Sequence, residues 1–269
     1  MEFGDFPAVD MDPPEASITR NLVVLLLDAS GSMAEADTDE AGNKRGTSKI
    51  ETLRAALNRF LAIDVHNEPK LQANGELAIL TFGNGVVPAL TLGNPVLPGS
   101  PFHFIRNVTS TPDFPVGGNT PMGAAIGKAL DIIDARKQSL AESGITHEFR
   151  PNVFLLTDGR PNDAREVLDD SIKRLHAEEA RNGVLLWALG TQDAYAPWLE
   201  RIADKGNYLP LPGNSLAQFL RFVSKSMRRQ GGRRGEEDAA TIYHDVTRNV
   251  SFDEAVDALL DDEGGSARS

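Results

Sequence analysis

Three apolar runs mark the chain: NLVVLLLD (21–28), PNVFLLTDG (151–159) and VLLWALG (184–190). A run without polar alternation suits a strand covered on both faces, as in a parallel sheet. GELAILTFG (75–83) reads as another strand. GVVPALTL (85–92) is expected to pair with it through the Gly83-Asn84-Gly85 turn, with Pro88 confining it to an edge. Between these runs the apolar period becomes helical. Ile50, Leu53, Leu57, Phe60 and Leu61 recur at helical spacing in 48–66, with Ser48 as N-cap. Residues 120–140 form a helix with proline near its first position, and 163–183 one closed by Gly183. Residues 193–206 and 214–227 read as helices, 207–211 as a short strand and 34–48 as a polar loop. Strands alternating with helices predict an α/β fold: an open, mostly parallel sheet with one antiparallel edge strand and helices on both faces. Strand 21–28 is expected at its centre, between 75–82 and 151–158.

The pattern ends near Met227. Residues 1–19 are acidic and Pro-rich and read as a flexible arm. RRQGGRRG (228–235) is a basic, glycine-rich hinge. Residues 236–269 hold ten acidic and two basic side chains, a composition that stays unfolded alone. One segment differs: SFDEAVDALL (251–260) has a capping-box spacing and one apolar face, and predicts a short docking helix. A purely solubilising acidic tail is the alternative. The domain expected between arm and tail is 20–227.

Composition narrows the function. The net charge of −12 repels phosphate backbones and argues against a nucleic-acid partner. The absence of cysteine excludes disulfides and thiolate metal sites and fits a cytoplasmic protein. The N-terminus lacks the basic and apolar regions of a signal peptide. No apolar run approaches the ~20 residues of a membrane span, so no membrane partner is expected.

The candidate chemistry lies where strands end. In an open α/β sheet, ligands bind outside the carboxyl ends of the strands. There, Asp28, Ser30 and Ser32 alternate in LLLDASGSM, Asp158 follows LLT, and Thr120 opens a helix in GGNTPMG. Two carboxylates and three hydroxyls without His or Cys make a hard-oxygen set, suited to Mg²⁺ or Mn²⁺ rather than Zn²⁺. Neutral hydroxyls leave such an ion electrophilic enough to take an anionic ligand from outside. Asp and Ser at strand ends also serve ordinary turns and caps, and Thr120 is equally placed as an N-cap. Gly117 and Gly118 suit either a plain loop or a close backbone approach. Glu35, Asp37, Asp39 and Glu40 form a solvated loop overhanging the site, which could tune partner choice or offer a carboxylate. The five histidines are scattered and read as surface or packing residues; Trp187 reads as core, and Trp198 as cover for the sheet edge.

DASGS, GGNTPMGAAI and LLTDGRPND, in this order, resemble the metal-ion-dependent adhesion site of von Willebrand factor type A (VWA) domains. The family pattern of Asp-x-Ser-x-Ser, a Thr and an Asp matches Asp28, Ser30, Ser32, Thr120 and Asp158. The likeness covers about 20–227 and implies a Rossmann-like VWA fold. It also implies roles. Ser30 and Ser32 ligate a metal directly, Thr120 directly or through water, and Asp28 and Asp158 through waters or hydrogen bonds to the serines. A partner protein's carboxylate completes the coordination, and the module binds rather than catalyses. More narrowly, FRPNVFLLTDGRPND and LPGNSLAQFLRFVSKSM resemble bacterial cytoplasmic VWA proteins of the tellurite-resistance TerY group. That implies a stress-response or signalling assembly with phosphatase-, kinase- or ATPase-type partners.

Two other functions compete. A Mg²⁺-dependent hydrolase or phosphotransferase could use Asp28 as nucleophile. The haloacid dehalogenase type needs a second Asp where Ser30 stands, however, and no nucleophile elbow, Walker A loop or GxGxxG is present. An adaptor binding through its C-terminal tail is the other alternative.

Overall fold

A computed structural model describes residues 19–38, 43–67, 69–85, 87–146, 150–191, 193–203, 207–211 and 223. The arm before residue 19, most of the expected helix 214–227 and the whole tail, including 251–260, lie outside the described residues.

The expected centre of the sheet is observed. Strand β1 (Asn21–Asp28) lies between β4 (Gly75–Phe82) and β6 (Asn152–Thr157), parallel to both. Strands β7 (Leu185–Gly190) and β8 (Tyr208–Pro210) extend it in parallel beyond β6. The antiparallel edge is β5 (His103–Phe104), which pairs with the start of β4, and the order is β5-β4-β1-β6-β7-β8.

This edge differs from the expected 85–92. That segment does run antiparallel to β4, but only through a bridge of Leu80 with Ala89. Thr81 N–H donates to the Pro88 carbonyl, and Leu90 N–H to the Ile79 carbonyl. Pro88 has no N–H and a fixed φ, so the ladder cannot grow into a strand. The expected polar loop 34–48 is also corrected. A 3-10 turn (Gly31–Ala34) leads into it, and it holds an antiparallel ribbon of β2 (Ala36–Thr38) and β3 (Lys44–Ser48). Its apolar content is too low to signal a strand; polar contacts hold it. Asp37 is buried, not solvated, and accepts from Thr52 Oγ1 and Thr38 N–H, both at 2.9 Å.

The pleat of β1 divides the core. Val23, Leu25 and Leu27 pack with Ile50, Leu53 and Leu57 of α1 (Lys49–Arg59) on one face. Leu22, Val24 and Leu26 pack on the other with Met122 and Ile126 of α3 (Met122–Glu142). That second face also holds Leu168 and Ile172 of α4 (Arg165–Ala180) and Leu199 of α5 (Ala196–Ile202). Successive strand side chains alternate sides, so a wholly apolar strand feeds two cores. Trp187 lies in the α1-side core, as expected. A short helix not foreseen, α2 (Pro69–Asn74), precedes β4. Helix α1 begins with a full capping box: Ser48 Oγ accepts from Glu51 N–H, and Glu51 Oε2 accepts from Ser48 N–H at 2.7 Å. Among the described residues, no helix is long and apolar enough to cross a membrane.

Candidate metal site

The same alternation decides which side chains meet beyond the strand ends. Asp28 continues the β1 series that faces α3, as Thr157 does on β6. Accordingly, Thr157 Oγ1 donates to Asp28 Oδ2 at 2.5 Å. The other oxygen, Asp28 Oδ1, accepts from Ser30 N–H at 2.8 Å, turning the chain out of the strand. Asp158, one residue further along, falls on the α1 side. There its Oδ1 accepts from Ser32 Oγ at 2.7 Å, and the Ser30 and Ser32 hydroxyls lie 3.1 Å apart.

The loops carrying these residues are tied together by backbone. Gly31 N–H donates to the Gly118 carbonyl, Gly117 N–H to the Ala29 carbonyl, and Asn84 N–H to the Gly117 carbonyl. Gly118 has φ +66°, and a Cβ there would come within 2.6 Å of Asn84 Cα. Glycine is therefore required for this approach, not merely tolerated in a loop. Thr120 is held by donating its N–H to Asn162 Oδ1 at 3.0 Å. It is not what caps α3: Asp163, reaching over from the β6 side, accepts from Gly123 N–H at 2.8 Å and Ala124 N–H at 3.0 Å. Thr120 Oγ1 and Asp28 Oδ2 both border Gly159, 3.4 and 3.7 Å from where its Cβ would stand. All five residues expected at the site thus come to one end of the sheet. Of the acidic stretch beside it, Glu35 is exposed, while Asp39 and Glu40 lie outside the described residues.

Electrostatics set Asp28 apart. It is fully buried, and among the described residues no cation pairs with it. Burial pushes its carboxyl up from 3.8 to about 6, against the lowering effect of the Thr157 and Ser30 hydrogen bonds. The charge of Asp158 adds a further upward push. Asp158 itself is served by a lysine that the sequence reading passed over. Lys49 Nζ donates to Asp158 Oδ2 and to Asp193 Oδ2, each at 2.8 Å, with Glu35 Oε2 at 3.9 Å. Burial works against this ammonium, but its hydrogen bonds to Asp158 and Asp193 outweigh that, and its pKa is raised. One signal was available in sequence. A lysine at the first position of a capped helix runs against the helix dipole and so calls for a carboxylate.

The donor set fits a hard divalent ion. Two serine hydroxyls already converge, the threonine hydroxyl lies on the Asp28 side at Gly159, and the buried Asp28 carboxylate has no cation among the described residues. Among the described residues no group of three or more His, Cys, Asp or Glu is placed to hold a metal, so a metal here depends on hydroxyl donors.

A model of the von Willebrand factor type A domain family matches residues 23–160, just over half of the 269-residue chain. The chain belongs to the VWA family. All five site residues lie inside the matched stretch of this VWA domain. Its fold is similar to that of proximal thread matrix protein 1 from the mussel byssus, at 19% identity and a TM-score of 0.50. The match covers 80% of this chain and 49% of the mussel protein, so the chain spans about half the length of that relative. The VWA domain of SpRpn10 matches at 14% identity and a TM-score of 0.47, over 76% of this chain and 95% of that domain. Manganese-loaded Plasmodium vivax TRAP protein matches at 18% identity and a TM-score of 0.44, over 76% and 73%. Comparison with curated proteins gives no match.

Proposed function

We propose that this VWA domain is a metal-dependent protein-interaction module, not an enzyme, and that its partner presents a carboxylate to a Mg²⁺ or Mn²⁺ ion at the adhesion site. The observation that carries this reading is the convergence of the Ser30 and Ser32 hydroxyls between two carboxylates, one of them buried without a cation among the described residues. Ser30 and Ser32 would bind the ion directly. Thr120 would bind it directly or through water. Asp28 and Asp158 orient the serines, through Ser30 N–H and Ser32 Oγ respectively, and supply the negative charge. When bound, the ion supplies an electrophilic position for an anionic ligand.

Binding rather than catalysis is supported by the surroundings. The hydrogen bonds of His66, His103 and His176 run to Gln72, Leu92 and Ile202, away from the site. No imidazole base among them serves Ser30 or Ser32. The narrower setting is a bacterial cytoplasmic stress-response or signalling assembly with a phosphatase-, kinase- or ATPase-type partner. Its support is the TerY-group resemblance.

The test combines calorimetric Mg²⁺ titration with affinity capture in Mg²⁺ and in EDTA, using wild type, Ser32→Ala and Thr120→Ala. Wild type should bind Mg²⁺ and retain one protein specifically in Mg²⁺. Both variants should fold normally and lose that retention at least tenfold. Mg²⁺-independent capture that survives both substitutions would move the function away from this site.

A further inference from the structure

Lys49 lies outside the five-residue family pattern, yet it is bonded to one of the five. We propose that Lys49 sets the divalent-ion affinity of the adhesion site, holding it low by drawing on the Asp158 carboxylate that also orients Ser32. This rests on the metal-site reading above.

The carboxylate of Asp158 is divided between two claims. Its Oδ1 accepts from Ser32 Oγ at 2.7 Å, and its Oδ2 accepts from Lys49 Nζ at 2.8 Å. The ammonium therefore offsets one of the two negative charges available to a cation on the serines, leaving Asp28 as the other. Lys49 is only 3% exposed, so salt and water screen its charge poorly. Its position is also costly for a purely structural lysine. It stands at the first residue of α1, where the helix dipole disfavours a cation, and it is removed from water. A site held partly neutral binds its ion weakly and leaves that ion's demand for an anion unmet. A carboxylate from outside then restores the charge that Lys49 offsets. The consequence is that ion and partner bind together more readily than either alone.

Asp193 moderates this effect. It sits on the loop between β7 and α5, its side chain is 59% exposed, and it takes the other side of the ammonium at 2.8 Å. Neutralising Asp193 leaves the whole Lys49 charge to act on Asp158. The two residues should therefore act in opposite directions, whereas a lysine that merely braces the fold would make removal of either partner harmful.

The experiment is a calorimetric titration of Mn²⁺ into the full chain as wild type, K49M and D193N, with thermal unfolding in EDTA as the check on folding. K49M is expected to bind Mn²⁺ about tenfold more tightly and D193N about threefold more weakly, as loss or gain of one nearby charge requires. Unchanged or weaker binding by a folded K49M, with wild type binding normally, overturns the role of Lys49 alone. Absence of Mn²⁺ binding in both wild type and K49M overturns the metal site and this inference with it. Should K49M fail to fold, K49Q, which keeps a polar donor beside Asp158 without the charge, decides: tighter binding than wild type supports the inference, and equal or weaker binding overturns it.

Discussion

Asp28 carries the clearest electrostatic burden in the molecule. It is buried at the end of the central strand, with neutral donors on both oxygens and its carboxyl pushed up to about 6. A carboxyl raised above its ordinary 3.8 contributes stability that is fully present below that value and is lost as pH rises through about 6. At pH 7 the metal-free fold therefore holds an anion it would be better without. Asp28→Asn keeps an acceptor for Ser30 N–H and removes the charge. In EDTA at pH 7 it should be more stable than wild type by about 2–3 kcal/mol, at 1.36 kcal/mol per pKa unit, with the gap closing towards pH 4. Urea unfolding across pH measures this; an Asn variant less stable than wild type at pH 7 would show that Asp28 is not strained by its charge. Millimolar Mg²⁺ should narrow the gap, because binding stabilises only the protein that binds.

Helix α1 does two jobs at once. Its apolar stripe of Ile50, Leu53 and Leu57 closes one core, while its capped first turn delivers Lys49 to Asp158. The stripe and the Ser48 N-cap were legible in sequence, because a 3.6 period and a serine just ahead of it are local signals, whereas the Glu51 half of the capping box emerged only from the structure. The long parallel strands were equally legible, since burial on both faces leaves an unbroken apolar run. The ribbon β2–β3 was not: it is stabilised by Asp37 bonded to Thr52, a contact between elements that no local pattern reveals. The short edge β5 was hidden for a related reason, since two residues carry no period. At the site, Asp28, Ser30, Ser32, Thr120 and Asp158 were found from motif spacing. Thr157, Asn162, Asp163 and Asp193 were not, because their roles follow from which face of the pleat or which loop meets them. The cap itself is testable. Ser48→Ala should cost about 1 kcal/mol, seen as a lower urea midpoint with unchanged slope. No change would mean that packing alone fixes the first turn.

Across the molecule, charge is arranged by end. At the strand starts, buried Glu76 of β4 is held by Arg136 through two bonds of 2.7 Å and by Arg20 at 3.3 Å. At the strand ends, Asp28 has no cation among the described residues, and Asp158 must share one. Among the described residues, negative charge is thus fully matched at one end and only partly matched at the other. The chain as a whole is acidic, at −12, which favours accumulation of divalent cations over nucleic acid. The most direct measurement is anomalous diffraction from crystals of the full chain grown in Mn²⁺. An anomalous peak is expected beside Ser30 and Ser32, within about 2.3 Å of both hydroxyl oxygens, as hard-ion coordination requires. Crystals in millimolar Mn²⁺ with no peak there, or with Mn²⁺ bound only elsewhere, would contradict the metal site.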